Sequence, residues 1–152
     1  MPTRDTARAD IEGFLTQKRL AVVGVSRHEN EYGRTLFREL VKRGYDVVPV
    51  NPAAEELDGV RCYARVADVA PAVDGALVLL PAAAAEGIVR ECVEQGITRI
   101  WSRNDVPGAR ELCQERGASL VAGYCPFMFL SHGAFVHQCH AFVTRLVGQY
   151  PA

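Results

Sequence analysis

The sequence predicts a Rossmann-like α/β domain, a doubly wound and mainly parallel sheet of about five strands with helices on both faces. Three observations predict it. Short, wholly apolar runs at residues 20–25 and 75–80 have the composition of strands buried on both faces. Stretches with apolar residues at helical spacing alternate with such runs from Leu20 onward. Gly44, Gly96 and Gly117 stand where successive helices should stop.

In order along the chain, residues 3–15 read as a leading helix with Ala7, Ile11, Phe14 and Leu15 on one face. Residues 20–25 form the first strand. Over 33–43, Leu36, Phe37, Leu40 and Val41 recur at helical spacing. Residues 46–50 form a second strand, and Pro49, which cannot donate to a ladder, is expected near its end. Residues 51–58 read as a loop, 60–63 as a short third strand and 66–69 as one helical turn. The apolar run 75–80 is a further strand. Residues 82–95 form a helix with Ile88, Val89, Cys92 and Val93 inward. Residues 98–101 and 119–122 are the last strands, separated by a helix over 107–116 with Pro107 in its first turn. A final helix from Ser131 to about Gly148 carries a stripe of Phe135, Val136, Cys139, Phe142, Val143, Leu146 and Val147.

A chain of 152 residues is expected to form a single domain over 1–152. Its net charge of −1 excludes a broad basic surface for nucleic acid, so any anion site must be local. No apolar run approaches the ~20 residues that cross a bilayer. The N-terminal stretch lacks the apolar centre of a signal peptide. A cytoplasmic protein with no membrane partner is expected; nothing in the sequence specifies a protein partner. The cysteines number five and form no CxxC pair, which fits reduced thiols rather than a disulfide framework.

Ligands of parallel sheets bind beyond the carboxyl ends of the strands, where strand order reverses. The loops to examine are therefore residues 24–32, 51–52, 81, 102–105 and 123–126. In the first, Gly24 permits a tight turn after the strand and Ser26 offers a hydroxyl and an amide. Gly33 lies where the next helix starts, and a helix N-terminus supplies free amides and partial positive charge to a diphosphate. Arg27, His28 and Arg34 are placed to add charge-assisted contacts. The pattern is not GxGxxG, since Ser26 replaces the second glycine and the third comes seven residues later. The second strand ends in Asn51, where an NAD site usually places Asp or Glu. A tight turn beside an empty helix end remains the alternative.

Taken in order, the segments containing Gly24-Val25-Ser26, Tyr32-Gly33, Val50-Asn51-Pro52 and Leu80-Pro81 resemble the standalone CoA-binding domain family. Trp101 and Gly123-Tyr124-Cys125-Pro126 extend the resemblance, which covers about residues 14–126. The same Rossmann-like module forms the nucleotide-binding half of the succinyl-CoA synthetase α subunit and of ADP-forming acyl-CoA synthetases. The resemblance implies that the glycine–serine loop holds CoA phosphates, that Asn51 and Pro52 lie near the adenosine, and that Pro81 shapes the wall beneath it. Tyr32, Gly33, Arg34, Trp101 and Arg103 complete the candidate set. Ser102-Arg103-Asn104 departs from the family, which commonly has glutamine or an acidic–glycine pair there. The synthetases need a second domain with a phosphorylated histidine, for which 152 residues leave no room. The expectation is a small protein that binds coenzyme A or acyl-CoA without catalysis of its own. The alternatives are an NAD(P)-binding oxidoreductase or redox sensor, with Arg27 and Arg34 accommodating a 2′-phosphate, and a scaffold without ligand.

Other residues receive plainer readings. His137 and His140 share a helix face, and Cys125 or His132 would complete a zinc set, but the spacing matches no zinc signature. Partly exposed histidines and no metal are expected. Cys125 lies close to the expected ligand mouth, where a thiol can be reactive or form a mixed disulfide with CoA, although a packing role is the commoner case. Cys62, Cys92 and Cys113 read as core fillers. A tryptophan at a strand end, such as Trp101, more often belongs to the core than to a ligand platform, and an arginine such as Arg103 is more often simply exposed. No Ser/His/Asp order, paired carboxylates or Gly-Lys phosphate loop supports a hydrolase or NTPase.

Overall fold

Apolar strands need cover on both faces, and the chain supplies it. A computed structural model describes residues 4–25 and 32–130. Among them five strands form one parallel sheet: β1 (Arg19–Val23), β2 (Asp46–Val50), β5 (Gly75–Val78), β6 (Arg99–Ser102) and β7 (Ser119–Ala122). Their order across the sheet is β2-β1-β5-β6-β7. Strand β1 pairs Leu20 with Val47 on one side and with Gly75 on the other.

The sheet separates two apolar clusters. Helices α1 (Arg4–Leu15) and α2 (Tyr32–Lys42) cover one face, where Phe14, Leu36, Phe37 and Leu40 meet Leu20, Val22, Leu77 and Trp101. Helices α3 (Ala82–Glu94) and α4 (Pro107–Glu115) cover the other, where Val89, Cys92, Ala109 and Cys113 meet Ala21, Val23, Ala76 and Ile100. Successive residues of β1 thus alternate between clusters, as the period of two requires. The doubly wound fold is as the sequence predicts.

Three details differ from expectation. Val41 is 44% exposed, because the face of α2 that meets the sheet is completed by Leu36, Phe37 and Leu40. Ile88 is only half-buried, and its side chain borders a cavity instead of joining the inner row of α3. Residues 60–63 do not form a strand of the main sheet. Instead β3 (Glu56–Leu57) and β4 (Val60–Arg61) make a separate antiparallel hairpin, and only a bridge from Tyr63 to Val50 reaches the sheet edge. The two-residue turn, Asp58-Gly59, has φ of +50 and +79, the left-handed pair that tight hairpins use.

Pro49 sits one residue from the end of β2, which is an edge strand, so its missing N–H removes nothing from the ladder with β1. Its carbonyl accepts from Tyr63 N–H at 3.0 Å. At the opposite, N-terminal edge, Arg19 ties three elements: its guanidinium meets Asp46 at 2.8 Å and its amide meets the Asp74 carboxylate at 3.1 Å. The expected helix from Ser131 lies outside the described residues, with His132, His137, Cys139 and His140.

Candidate functional site

The chain passes from β1 through α2 to β2 on one side, then crosses back to β5 on the other side of β1. The carboxyl ends of β1 and β5 therefore flank the reversal of strand order, where an open α/β sheet leaves a crevice. A cavity of about 390 Å³ lies there, bounded by Gly24 and Val25 after β1, Asn51 and Pro52 after β2, and Leu80 after β5. The 3₁₀ turn Val66–Asp68 and helix α3 close its far side through Val66, Ile88 and Glu91. That volume lies within the ~300–1,000 Å³ usual for small-molecule sites.

Gly24 turns the chain out of β1 with φ +97, a conformation that side chains strain to adopt. A Cβ on Gly24 would meet Leu80 Cδ2 at 3.0 Å, so the cavity wall would have to give way to admit one. Gly33, in the first turn of α2, lets the helix approach the β1 loop: a Cβ there would lie 3.1 Å from the Gly24 carbonyl oxygen. Gly33 thus makes a direct contact between strand end and helix start. Ser26 and Arg27, with His28, lie outside the described residues.

Asn51 braces the crevice. Its side-chain amide donates to the Val25 carbonyl at 2.8 Å, and its side-chain carbonyl accepts from Ala53 N–H at 2.8 Å. These bonds fix the loop after β2 against the loop after β1, while Asn51 and Pro52 both border the cavity. Pro81 is exposed and caps α3, its carbonyl accepting from Ala84 and Ala85.

Arg34 belongs to a different task from the phosphate contact expected of it. It is 6% exposed, and its guanidinium grips the Asp58 carboxylate twice, at 2.7 and 3.1 Å. Arg38, one turn on, meets the same carboxylate at 2.9 Å. The hydrogen bonds from Arg34, then those from Arg38, hold the Asp58 carboxyl well below the usual carboxylate range. The hairpin turn is thereby clasped to α2. This pairing was missed in the sequence, although Asp-Gly between short apolar stretches is a hairpin signal.

Tyr32, Arg103 and Cys125 come together on the α2 side. The Arg103 guanidinium carbon lies 4.0 Å from the centre of the Tyr32 ring, a cation–π contact. The Tyr32 hydroxyl lies 3.2 Å from Cys125 Sγ, and its ring meets Phe127 edge-on at 5.6 Å. Burial, followed by the thiol contact, pushes the Tyr32 phenol up. Cys125 is half-buried, whereas Cys62, Cys92 and Cys113 are buried as expected. Burial raises all three of those thiols, Cys92 to about 12.

Trp101 is not a ligand platform. It is fully buried between Phe14 and Phe129, with ring centres 5.4 and 5.6 Å away, and its indole N–H donates to the Tyr124 carbonyl at 3.0 Å. It supports the 123–126 loop from below. Sequence reasoning missed Arg65, Ile88 and Glu91 at the cavity, since Arg65 reaches Gly24 only through the crossover between β2 and β5, and Ile88 and Glu91 only through the packing of α3. Among the described residues no group of three or more His, Cys, Asp or Glu side chains is arranged to hold a metal ion. No helix among them is long and apolar enough to cross a membrane.

Comparison with known proteins gives this geometry a context. The family described as CoA binding domain matches residues 18–130. An ADP-forming acetate–CoA ligase of Methanocaldococcus jannaschii is 29% identical over 80 residues, 53% of this chain but only 11% of the ligase. The chain thus spans about a tenth of that relative's length. An uncharacterized protein of Bacillus subtilis, YneT, is 23% identical over 125 residues, 80% of this chain and 93% of its own. A hypothetical protein from Pyrococcus horikoshii superposes with a TM-score of 0.71 at 25% identity, covering 83% of this chain and 92% of that one.

Proposed function

The chain belongs to the CoA-binding domain family, and from that premise we propose that it holds coenzyme A or an acyl-CoA across the crevice at the ends of β1, β2 and β5, without catalysis of its own. The observation that carries the reading is the cavity at the reversal of strand order, with Gly24 and the start of α2 beside it. The adenosine enters the cavity near Asn51 and Pro52. The diphosphate lies at the β1 turn and the start of α2, where the helix dipole favours negative charge. The pantetheine then runs toward Tyr32, Arg103 and Cys125.

The far end of that path supports a binding role. The hydrogen-bond partner of the Cys125 thiol is the Tyr32 hydroxyl. A phenol whose ionisation is pushed up by burial is no base for activating a thiol. An NAD-type reading lacks its usual acidic residue after β2, where Asn51 is bonded to backbone.

Thermal shift with CoA, acetyl-CoA, NAD, NADP and ADP tests the proposal. At ligand about 100 times Kd, stabilisation should reach about 2.7 kcal/mol. CoA and acetyl-CoA are expected to raise the melting temperature more than the other three. A shift with NAD or NADP alone supports the oxidoreductase alternative, and no shift with any of the five leaves a scaffold without ligand.

A further inference from the structure

We infer that Arg65, with Glu91 as its counter-ion, selects adenosine ligands that carry a phosphate on the 2′ or 3′ position of the ribose, and so separates CoA from dephospho-CoA and ADP. The inference rests on the proposed placement of adenosine in the crevice. It concerns residues that neither the sequence motifs nor the family resemblance assigns.

The cavity walls are mostly aliphatic, with Val23, Val50, Val66, Leu80 and Ile88 offering a slot for a planar base. Charge enters only at its rim, and among the described residues that border it the charges are Arg65 and Glu91. Arg65 is the one cation. Its side chain is 68% exposed, and its guanidinium stands 3.8 Å from Glu91 Oε1, too long for a hydrogen bond. Such a pair is worth little and yields readily to a doubly charged phosphate. Glu91 has a second tie, since the same oxygen accepts from Ala67 N–H at 3.3 Å. When Arg65 turns to a ligand, Glu91 keeps a donor and need not follow.

Direction supplies the rest. A ribose seated by Asn51 and Pro52 sends its 5′ oxygen toward Gly24 and the diphosphate. Its 2′ and 3′ positions then face away from that loop, and beside Pro52 the wall is formed by Ala64, with Arg65 next to it at the rim. A phosphate on either position meets the arginine. Dephospho-CoA and ADP leave Arg65 paired with Glu91.

Isothermal titration of the full chain with CoA and dephospho-CoA tests this, using wild type, Arg65→Ala and Glu91→Gln. Wild type should bind CoA about tenfold more tightly than dephospho-CoA, the effect of one charge-assisted contact. Arg65→Ala should bring CoA down to the dephospho-CoA value and leave dephospho-CoA unchanged. Glu91→Gln, which removes the competing carboxylate, should tighten CoA and not dephospho-CoA. Equal wild-type affinity for the two ligands, or an Arg65→Ala variant that weakens both alike, overturns the selector while leaving CoA binding standing. Failure of wild type to bind either ligand overturns the underlying placement as well. Circular dichroism of both variants checks that the fold is kept.

Discussion

Replacing Gly24 with alanine should damage both stability and ligand binding, and Gly44 provides the control that separates the causes. Both residues have strongly positive φ, +97 and +92. An alanine in such a conformation costs about 1–2 kcal/mol of backbone strain. At Gly44 a Cβ meets nothing within 4 Å, so Gly44→Ala should show that strain alone. At Gly24 the Cβ would lie 3.0 Å from Leu80 Cδ2 and 3.2 Å from Cγ, so the leucine must move. Overpacking of this kind adds about 1–3 kcal/mol. The entropy that alanine removes from the unfolded chain is common to both variants and cancels in the comparison. With about 2–4 °C lost per kcal/mol in a domain of this size, Gly24→Ala should melt roughly 2–12 °C below Gly44→Ala in differential scanning calorimetry. Because Leu80 borders the cavity, its displacement should also weaken CoA in titration calorimetry, whereas Gly44→Ala should bind as wild type does. Equal melting temperatures for the two variants, with wild-type CoA affinity in both, would falsify the assignment of this turn to the site.

Three further outcomes follow from the contacts described. Asp58→Asn should cost about 1–2 kcal/mol near neutral pH, a figure reduced because the carboxylate is a third exposed. Since Arg34 and Arg38 lower the Asp58 pKa, its contribution is complete above the unfolded value, near 4, and is lost as pH falls toward the folded one. Urea midpoints of wild type and Asp58→Asn should therefore converge between about pH 6 and about pH 2.5; a constant gap across that window counts against the clasp. Trp101→Phe should lose about 1–3 kcal/mol by stranding the Tyr124 carbonyl, measured by circular dichroism in urea, and an unchanged midpoint would contradict the buried indole bond. Among Cys62, Cys92, Cys113 and Cys125, native iodoacetamide labelling mapped by mass spectrometry should modify Cys125 first, and acetyl-CoA should slow it. Labelling of the three buried cysteines at the same rate would contradict their burial.

Much of the fold was legible because parallel sheets buried on both faces write themselves as apolar runs. Leu20 to Val23 and Gly75 to Val78 could be found without any periodicity, and the glycines after α2, α3 and α4 mark where those helices end. Pro49 was legible as well, since a residue that cannot donate to a ladder belongs near a strand's end. What escaped were features that depend on distant pairing. The hairpin of β3 and β4 has strands of two residues, too short to carry a period, and only its Asp58-Gly59 turn could have announced it. Arg34, at a helix start, has the sequence position of a phosphate contact. Its partner lies 24 residues away in a turn whose place no local pattern specifies. Arg65 and Glu91 were silent for the same reason, as charged residues are common and become informative only when one cavity collects them.

The placement of the site follows from how the two covering layers diverge. Helix α2 leaves β1 toward one face of the sheet and α3 leaves β5 toward the other, so neither helix covers the adjoining strand ends. The opening therefore has two unlike sides. Toward α3 it offers the aliphatic cavity with Arg65 at its rim. Toward α2 it offers the helix start and the Tyr32–Arg103–Cys125 group. A compact nucleotide such as ADP reaches the first side and the diphosphate position only. A ligand with an apolar base, an anionic middle and a long neutral arm can use both. If the arm adds contacts on the α2 side, CoA must bind more tightly than adenosine 3′,5′-bisphosphate, which has the base and ribose phosphates but no arm. Titration with the two compounds reads that difference directly. Tyr32→Phe should reduce it by removing the hydroxyl at Cys125, and equal affinities would confine the site to the α3 side.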